Sequence, residues 1–345
     1  MDTAKTILIT GGAGFIGSNF VKYWFNTYPD DNIIVLDALT YAGNPQNFPA
    51  YIKESDRFEF WYGNITNDEL VNALVEKADI VIHFAAESHV ARSIFDNKIF
   101  YMTDVIGTQV LANAVLKHYK QIERFIHIST SEVYGTALTN PMTEEHPLNP
   151  MSPYASAKAG ADRLVYSYWA TYDIPAIIVR PFNQYGLQQH LEKVIPRFIT
   201  SAIKNEPLTI HGDGSARRDW LHVLDTCERL EIIVNAPLAK VKGQVFNIGS
   251  GYDLDVLSIA KMIINATDRS TNLISYIGDR LGQVQHHISS TEKSYKILGI
   301  KPGRSFEAGI LETIKWYEEN QNWWKPLEWM KDVKILTKSG KVERH

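Results

Sequence analysis

Tyr154 and Lys158 stand four residues apart in Ser152-Pro153-Tyr154-Ala155-Ser156-Ala157-Lys158. On a helix that spacing puts both side chains on one face, one turn apart. Pro153 suits the first turn of such a helix, and Ser152 offers an N-cap oxygen. A phenol beside an ammonium gives up its proton more readily, because the cation favours the phenolate. The pair therefore makes a general base for a sugar or alcohol hydroxyl. The same spacing also describes an ordinary solvated helix face, so the preceding chain decides. There lies Ser129-Thr130-Ser131-Glu132-Val133-Tyr134-Gly135, with hydroxyls and a carboxylate as further proton-handling groups.

Alternating strands and helices must carry these residues. Thr6–Thr10 is a short β-branched run that reads as a buried strand. It runs into Gly11-Gly12-Ala13-Gly14-Phe15-Ile16-Gly17, and an amphipathic helix follows to about Tyr28. Glycines there allow a tight turn and let backbone approach a pyrophosphate at the helix N-terminus. A second strand, Ile33–Leu36, ends in Asp37, 20 residues after Gly17, where an acidic residue would hold adenosine ribose hydroxyls. No Arg or Lys stands just after Asp37, whose carboxylate repels a 2′-phosphate, so NAD is favoured over NADP. Further strands are expected at Phe58–Tyr62, Ala78–Phe84, Arg124–Ile128 and Ile174–Arg180, with helices over Asp96–Tyr119 and Pro153–Tyr172. Such alternation argues for a parallel sheet covered on both faces. Asn64 and Ile65 follow the third strand, towards the adenine. Ala85, Ala86, Glu87 and Ser88 follow the fourth and line the groove at the carboxyl ends, where His89 and Arg92 could face a substrate.

Composition narrows the class. At 345 residues the chain exceeds one small core and fits two lobes. A net charge of −4 gives no electrostatic case for nucleic acid or an anionic membrane. Cys227 is the only cysteine, so no intrachain disulfide forms and a reducing, cytoplasmic setting is expected. A strand begins within a few residues of Met1, leaving no expected signal peptide, and no apolar run reads as a membrane span. His286 and His287 are adjacent and so point to opposite faces of a strand, with no cysteine or carboxylate cluster; no metal is expected.

Taken together, the glycine motif, His83-Phe84-Ala85-Ala86, the Ser129–Gly135 segment and Tyr-x-x-x-Lys resemble the extended short-chain dehydrogenase/reductase family. Leu39–Asn44, Arg180-Pro181-Phe182-Asn183-Gln184-Tyr185-Gly186, Glu192–Phe198 and Gly212-Asp213-Gly214 through Arg218-Asp219-Trp220 look like the nucleotide-sugar 4,6-dehydratases. The resemblance covers roughly residues 5 to 325. It implies an α/β architecture, a Rossmann-type doubly wound parallel sheet with a smaller, discontinuous α/β substrate-binding lobe. The NAD-binding domain is expected over 1–183 plus about 221–252, since Val245–Gly249 reads as a further strand of its sheet. The nucleotide-sugar lobe then takes 184–220 and 253–330, with 331–345 a tail, frayed or disordered beyond Asp332.

By the same resemblance, Tyr154 removes the O4 proton as hydride leaves C4 for NAD, Lys158 holds the nicotinamide ribose, and Thr130 bonds the O4 region. Glu132 takes the C5 proton, water leaves C6, hydride returns to C6, and the product is a 4-keto-6-deoxy sugar. The resemblance puts Gly11, Gly14, Phe15, Ile16, Gly17, Asp37, Asn64, Ile65, Ala85, Ala86, Ser129, Tyr154 and Lys158 around the cofactor. Ser88, His89, Asn183, Glu192, Lys193, Val194, Arg218, Asn247 and Arg280 fall around the sugar and its diphosphate. A homodimer is implied, through a four-helix interface built from Asp96–Tyr119 and Pro153–Tyr172.

Several residues depart from the family pattern. Ser131 stands where dTDP-glucose dehydratases carry the Asp that protonates the departing C6 oxygen, and a serine hydroxyl is a far weaker acid. Gln283 replaces a frequent His, and Asn64 and Asp104 stand where Asp and Asn are commoner. Thr-Ser-Glu is similar to GDP-mannose dehydratases and to retaining UDP-N-acetylglucosamine 4,6-dehydratases, and Gln189–Thr200 looks closest to the latter. UDP-N-acetylglucosamine is thus the expected substrate. The alternatives are dTDP-glucose or UDP-glucose dehydration, UDP-glucuronate decarboxylation, 4-epimerisation, or a silent nucleotide-sugar-binding protein. The late tryptophans Trp316, Trp323, Trp324 and Trp329 read as core and lid packing.

Overall fold

Seven parallel strands form the frame of the computed structural model, which describes residues 4–279 and 281–344. They are β1 (Thr6–Thr10), β2 (Asn32–Asp37), β3 (Phe58–Tyr62), β4 (Ile80–His83), β5 (Arg124–Ile128), β6 (Ala176–Pro181) and β7 (Val245–Ile248). Their order is β7-β6-β5-β4-β1-β2-β3, which reverses direction between β1 and β4. Ligands of such sheets lie beyond the strand ends at that switch point. Alternation along the strands feeds two separate cores. Ile7 and Ile9 pack with Phe20 and Trp24 of the helix Phe15–Thr27 on one face, whereas Leu8 joins Val81, Val110 and Val165 on the other. Fully burying side chains of this size contributes about 1.5–3 kcal/mol each.

The second lobe has its own core around Phe198, Ile199, Ile263, Ile314 and Trp324. Its strands Asn183–Tyr185, Asp253–Asp255 and His286–His287 all pair with Arg217–His222. Trp324 is fully buried and Trp316 and Trp323 pack on this core, but Trp329 is 72% exposed and packs in neither core nor lid.

The segment past Asp332 is not frayed: Lys334–Leu336 and Val342–Arg344 pair as an antiparallel hairpin. Its apolar residues Val333 and Ile335 bury against Ala91, which outweighs the polar composition of the tail. The helix expected over Asp96–Tyr119 starts at Lys98 and contains a π-helical stretch, Tyr101–Gly107, before regular helix resumes at Thr108. This helix is long and apolar enough to cross a bilayer by length and composition alone, and half of its most apolar window is buried inside the protein, as in a core helix. It packs on the helix Pro153–Tyr172 through Phe100 and Val105 against Tyr154 and Ala157.

Candidate active site

The glycine turn after β1 is shaped by contacts that exclude side chains. Gly11 has φ +69°, and a Cβ there would meet Ala85 N at 2.5 Å; one on Gly17 would meet Gly11 O at 2.4 Å. Gly14 caps the following helix, whose first residues are Phe15 and Ile16. Asp37 ends β2 with its carboxylate turned to this turn, accepting the Ala13 N–H at 2.9 Å and the Leu39 N–H at 2.8 Å. Burial pushes its carboxyl up, while those two N–H groups work against the shift. Ala85 and Ala86 lie half-buried beyond β4. Asn64, exposed beyond β3, uses its carbonyl on Thr66, and Ile65 is buried beside Gly107. The glycine turn, Asp37 and the β4 loop thus share the carboxyl edge of the sheet. A dinucleotide with its pyrophosphate over the turn and a ribose at Asp37 fits this cradle.

Tyr154 and Lys158 occupy the first turns of the helix Pro153–Tyr172, which Ser152 caps by accepting the Ala155 N–H at 3.1 Å. Lys158 Nζ donates to Ile128 O at 2.7 Å, so the ammonium is anchored at the end of β5. Burial lowers its pKa; the Asp104 and Asp162 carboxylates raise it. The phenol of Tyr154 is pushed well up, first by burial. A hydrogen bond with Thr130 lowers its pKa, and the charges of Asp104 and Glu132 raise it further. Burial, ahead of the two carboxylates, therefore governs the phenol more than the helical spacing to Lys158 does.

Beyond β5 the chain turns tightly. Ser129 is buried with its N–H donating to Val179 O at 2.7 Å. Thr130 caps the 3-10 turn Ser131–Tyr134 by accepting the Glu132 N–H. Glu132 is half-exposed there, on the side of Tyr154, whereas Ser131 is buried and faces His287. Thr130 and Glu132 thus lie beside Tyr154, with Lys158 one helical turn further along.

An ion cluster joins the loop after β4 to the segment Gln189–Val194. The Glu192 carboxylate is fully buried, with Arg92 Nε at 3.1 Å, His89 Nε2 at 3.7 Å, His190 Nδ1 at 3.8 Å and Lys193 Nζ at 3.9 Å. Lys193 also donates to Ser88 O at 3.2 Å, and the Ser88 hydroxyl lies 3.4 Å from the Tyr41 phenol. Arg92 stacks over the Tyr41 ring at 4.4 Å. Ser88, His89, Glu192 and Lys193 are therefore one assembly, with Val194 opening the next helix. Asn183 lies half-buried on its strand beside Trp220. Arg218 is buried and donates to the carbonyls of Arg217 and Val284. Asn247 is 1% exposed, accepts from Tyr134 Oη at 2.7 Å and donates to Met142 O at 3.1 Å. Arg280 lies outside the described residues.

Sequence reading missed Tyr41 and His190 as members of this pocket and gave Asp104 no role. Asp104 is 1% exposed, accepts the Glu87 N–H at 2.8 Å through Oδ1, and has no hydrogen bond to Oδ2. Burial raises its carboxyl to about 7, and the Lys158 charge lowers it. Its departure from the commoner Asn was the available signal.

A doubly wound sheet with a Tyr-x-x-x-Lys helix against its carboxyl edge defines an extended short-chain dehydrogenase/reductase. The family model described as GDP-mannose 4,6 dehydratase matches residues 8–313. Low-salt glycan biosynthesis protein Agl12 of Haloferax volcanii is 44% identical, over 90% of this chain and 98% of its own length. A dTDP-glucose 4,6-dehydratase of Actinoplanes sp. is 39% identical, over 92% and 99%. The crystal structure of DesIV, a dTDP-glucose 4,6-dehydratase from Streptomyces venezuelae with NAD and TYD bound, superposes with a TM-score of 0.88. It is 37% identical, covering 94% of this chain and all of that one. The chain belongs to the GDP-mannose 4,6-dehydratase-type family, a family of NAD-dependent hydro-lyases.

Proposed function

We propose that this chain is an NAD-dependent nucleotide-sugar 4,6-dehydratase acting on UDP-N-acetylglucosamine. The observation that carries the reaction is Glu132, half-exposed beside Tyr154 and Thr130 on a turn anchored to β5. A 4-epimerase reverses its chemistry at C4 and needs no carboxylate near C5. NAD, when bound, supplies the acceptor for hydride from C4 and its return to C6. Tyr154, oriented by Thr130, takes the O4 proton, and Lys158 holds the ribose side. Asp37 and the Gly11–Gly17 turn bind the dinucleotide, as Asn64, Ile65, Ala85, Ala86 and Ser129 line it. Once C4 is a ketone, the C5 proton is acidic, and Glu132 removes it while the C6 oxygen leaves. Glu192, Lys193, Ser88 and His89 grip the sugar, and Arg218 serves the diphosphate side.

Ser131 and Gln283 count against dTDP-glucose, and the run Gln189–Thr200 supports the acetamido sugar. The names of the relatives favour dTDP-glucose, which is the second reading. The test incubates the protein and NAD with UDP-N-acetylglucosamine, dTDP-glucose, UDP-glucose and UDP-glucuronate, with products read by mass. Loss of water from UDP-N-acetylglucosamine is expected; loss of CO2 or an isomer of equal mass would replace the dehydratase reading. Glu132→Gln is expected to oxidise C4 slowly without exchanging the C5 proton with solvent. Rapid exchange in that variant would remove Glu132 from this role.

The apolar side chains Ile99, Tyr101, Met102 and Ile106 are exposed on one helix, and Tyr166 and Tyr172 on the other, which supports a homodimer through these two helices. Sedimentation at the 39.2 kDa of one chain would overturn that. The buried, single Cys227 suits a cytoplasmic setting.

A further inference from the structure

Ser131 is the one catalytic position where a carboxyl is expected and absent. Its hydroxyl does not face solvent: it is 2% exposed and lies 3.5 Å from Nδ1 of His287, itself fully buried. The other ring nitrogen of His287, Nε2, lies 2.5 Å from Gly135 O. A carbonyl only accepts, so Nε2 carries a hydrogen and Nδ1 is the nitrogen left to exchange a proton with Ser131. The two residues are 156 positions apart in sequence, on the 3-10 turn and on the strand His286–His287. Gly135 belongs to the same turn as Ser131, so one carbonyl of the catalytic turn sets the tautomer of the histidine that backs it. The Phe182 ring closes the apolar side at 6.0 Å.

We propose that Ser131 and His287 form a proton relay that delivers a proton to the hydroxyl leaving C6, with His287 acting through Ser131. This rests on the dehydratase reading above. In the imidazolium form Nδ1–H donates to Ser131 Oγ, whose own hydrogen points to the departing oxygen. The C5–H electron pair forms the C5=C6 bond as Glu132 receives the proton. The C6–O pair leaves with oxygen, which takes the Ser131 hydrogen and departs as water, while Ser131 is refilled from His287. Glu132 then still holds the C5 proton when hydride reaches C6, and returns it to C5. A Glu132 that had protonated the leaving hydroxyl would have none to return. The O4 proton passes through Tyr154 to solvent, and solvent recharges His287, so the substrate loses only water.

Three charged or titratable side chains act on His287. Burial lowers its pKa most, the Glu132 carboxylate raises it, and Arg218 and His146 lower it. Arg218 is its partner in strand register.

The test is single-turnover dehydration by the NAD-loaded protein in D2O, with wild type, His287→Gln, Ser131→Ala, Ser131→Asp and Ser131→Asp/His287→Gln. His287→Gln and Ser131→Ala are expected to slow water loss by about 10²–10⁴-fold, the usual range for a lost general acid. C4 oxidation and C5 deuterium exchange persist, so reduced cofactor and 4-keto hexose accumulate. A carboxyl at residue 131 needs no relay, so the double variant dehydrates at the rate of Ser131→Asp alone. It also lacks the alkaline limb that deprotonation of His287 gives wild type. Water loss at the wild-type rate in His287→Gln overturns the relay. So does an equal loss of oxidation and elimination that Ser131→Asp fails to recover, which marks His287 as structural. No dehydration by wild type on any sugar nucleotide would instead overturn the dehydratase reading, and the relay with it.

Discussion

Asp162→Ala is expected to weaken the fold by about 3–5 kcal/mol, the range for stripping a buried charge of its partner. Arg180 donates from Nε to one carboxylate oxygen of Asp162 at 2.8 Å and from Nη2 to the other at 3.0 Å, and both side chains are at most 2% exposed. The same guanidinium donates to Tyr134 Oη at 2.9 Å and to Glu144 O at 3.2 Å. One buried cation therefore ties the helix bearing Tyr154 and Lys158 to the turn bearing Ser131 and Glu132. The alanine removes the counter-charge and leaves the charge, a loss of roughly a fifth or more of a typical net stability of about 5–15 kcal/mol. Replacing both partners, as in Asp162→Leu/Arg180→Met, removes the stranded charge and recovers most of the loss. Urea midpoints at constant m-value measure both. A single-variant loss below about 1 kcal/mol, or a double variant no better than the single, would refute the reasoning. The sign with pH is also fixed. Burial opposes ionisation of Asp162, but hydrogen bonds and charge from Arg180 outweigh it and hold the carboxyl below its usual range. Its contribution is complete above the ordinary carboxyl pKa and disappears as pH falls through the depressed one.

Tyr154→Phe is expected to reduce dehydration by about 10²–10⁴-fold with NAD affinity unchanged, checked by turnover and by cofactor titration; a loss below tenfold would exclude the phenol as base. Asp104→Asn removes a negative charge facing both Lys158 and Tyr154. Both groups then deprotonate more easily, so both limbs of the kcat/KM profile move to lower pH; limbs that stay in place would show that the carboxylate does not act on the pair.

What the sequence told depended on distance along the chain. The helix Pro153–Tyr172 was legible to the residue, because Ser152 and Pro153 are local start signals. The strand expected from Ile174 begins at Ala176, after Pro175, which has no N–H for the ladder. The glycine turn and Asp37 were legible because their spacing is itself the mechanism. The π-helical stretch was not: it is accommodated by Gly107 against Ile65 and by Asp104 against the β4 loop, contacts with partners far back in the chain. The C-terminal hairpin was masked by its lysines, although Gly340 at φ +80° and the alternating Val333 and Ile335 marked it. The Glu192 cluster and the Ser131–His287 contact join segments about 100 and 156 residues apart, a separation at which no local pattern speaks.

The last strand of the main sheet has a consequence for how the protein is made. β7 reaches β6 only after the chain has passed through Asn183–Tyr185, Leu208–His211 and Arg217–His222 of the other lobe. On a ribosome emitting roughly 5–20 residues per second, β6 therefore waits seconds with an unpaired edge. Such an edge is a template for a neighbouring chain. Nascent copies crowded on one message are most vulnerable in that interval, and a cut or stall before residue 245 leaves a nucleotide-binding sheet that is open along its flank.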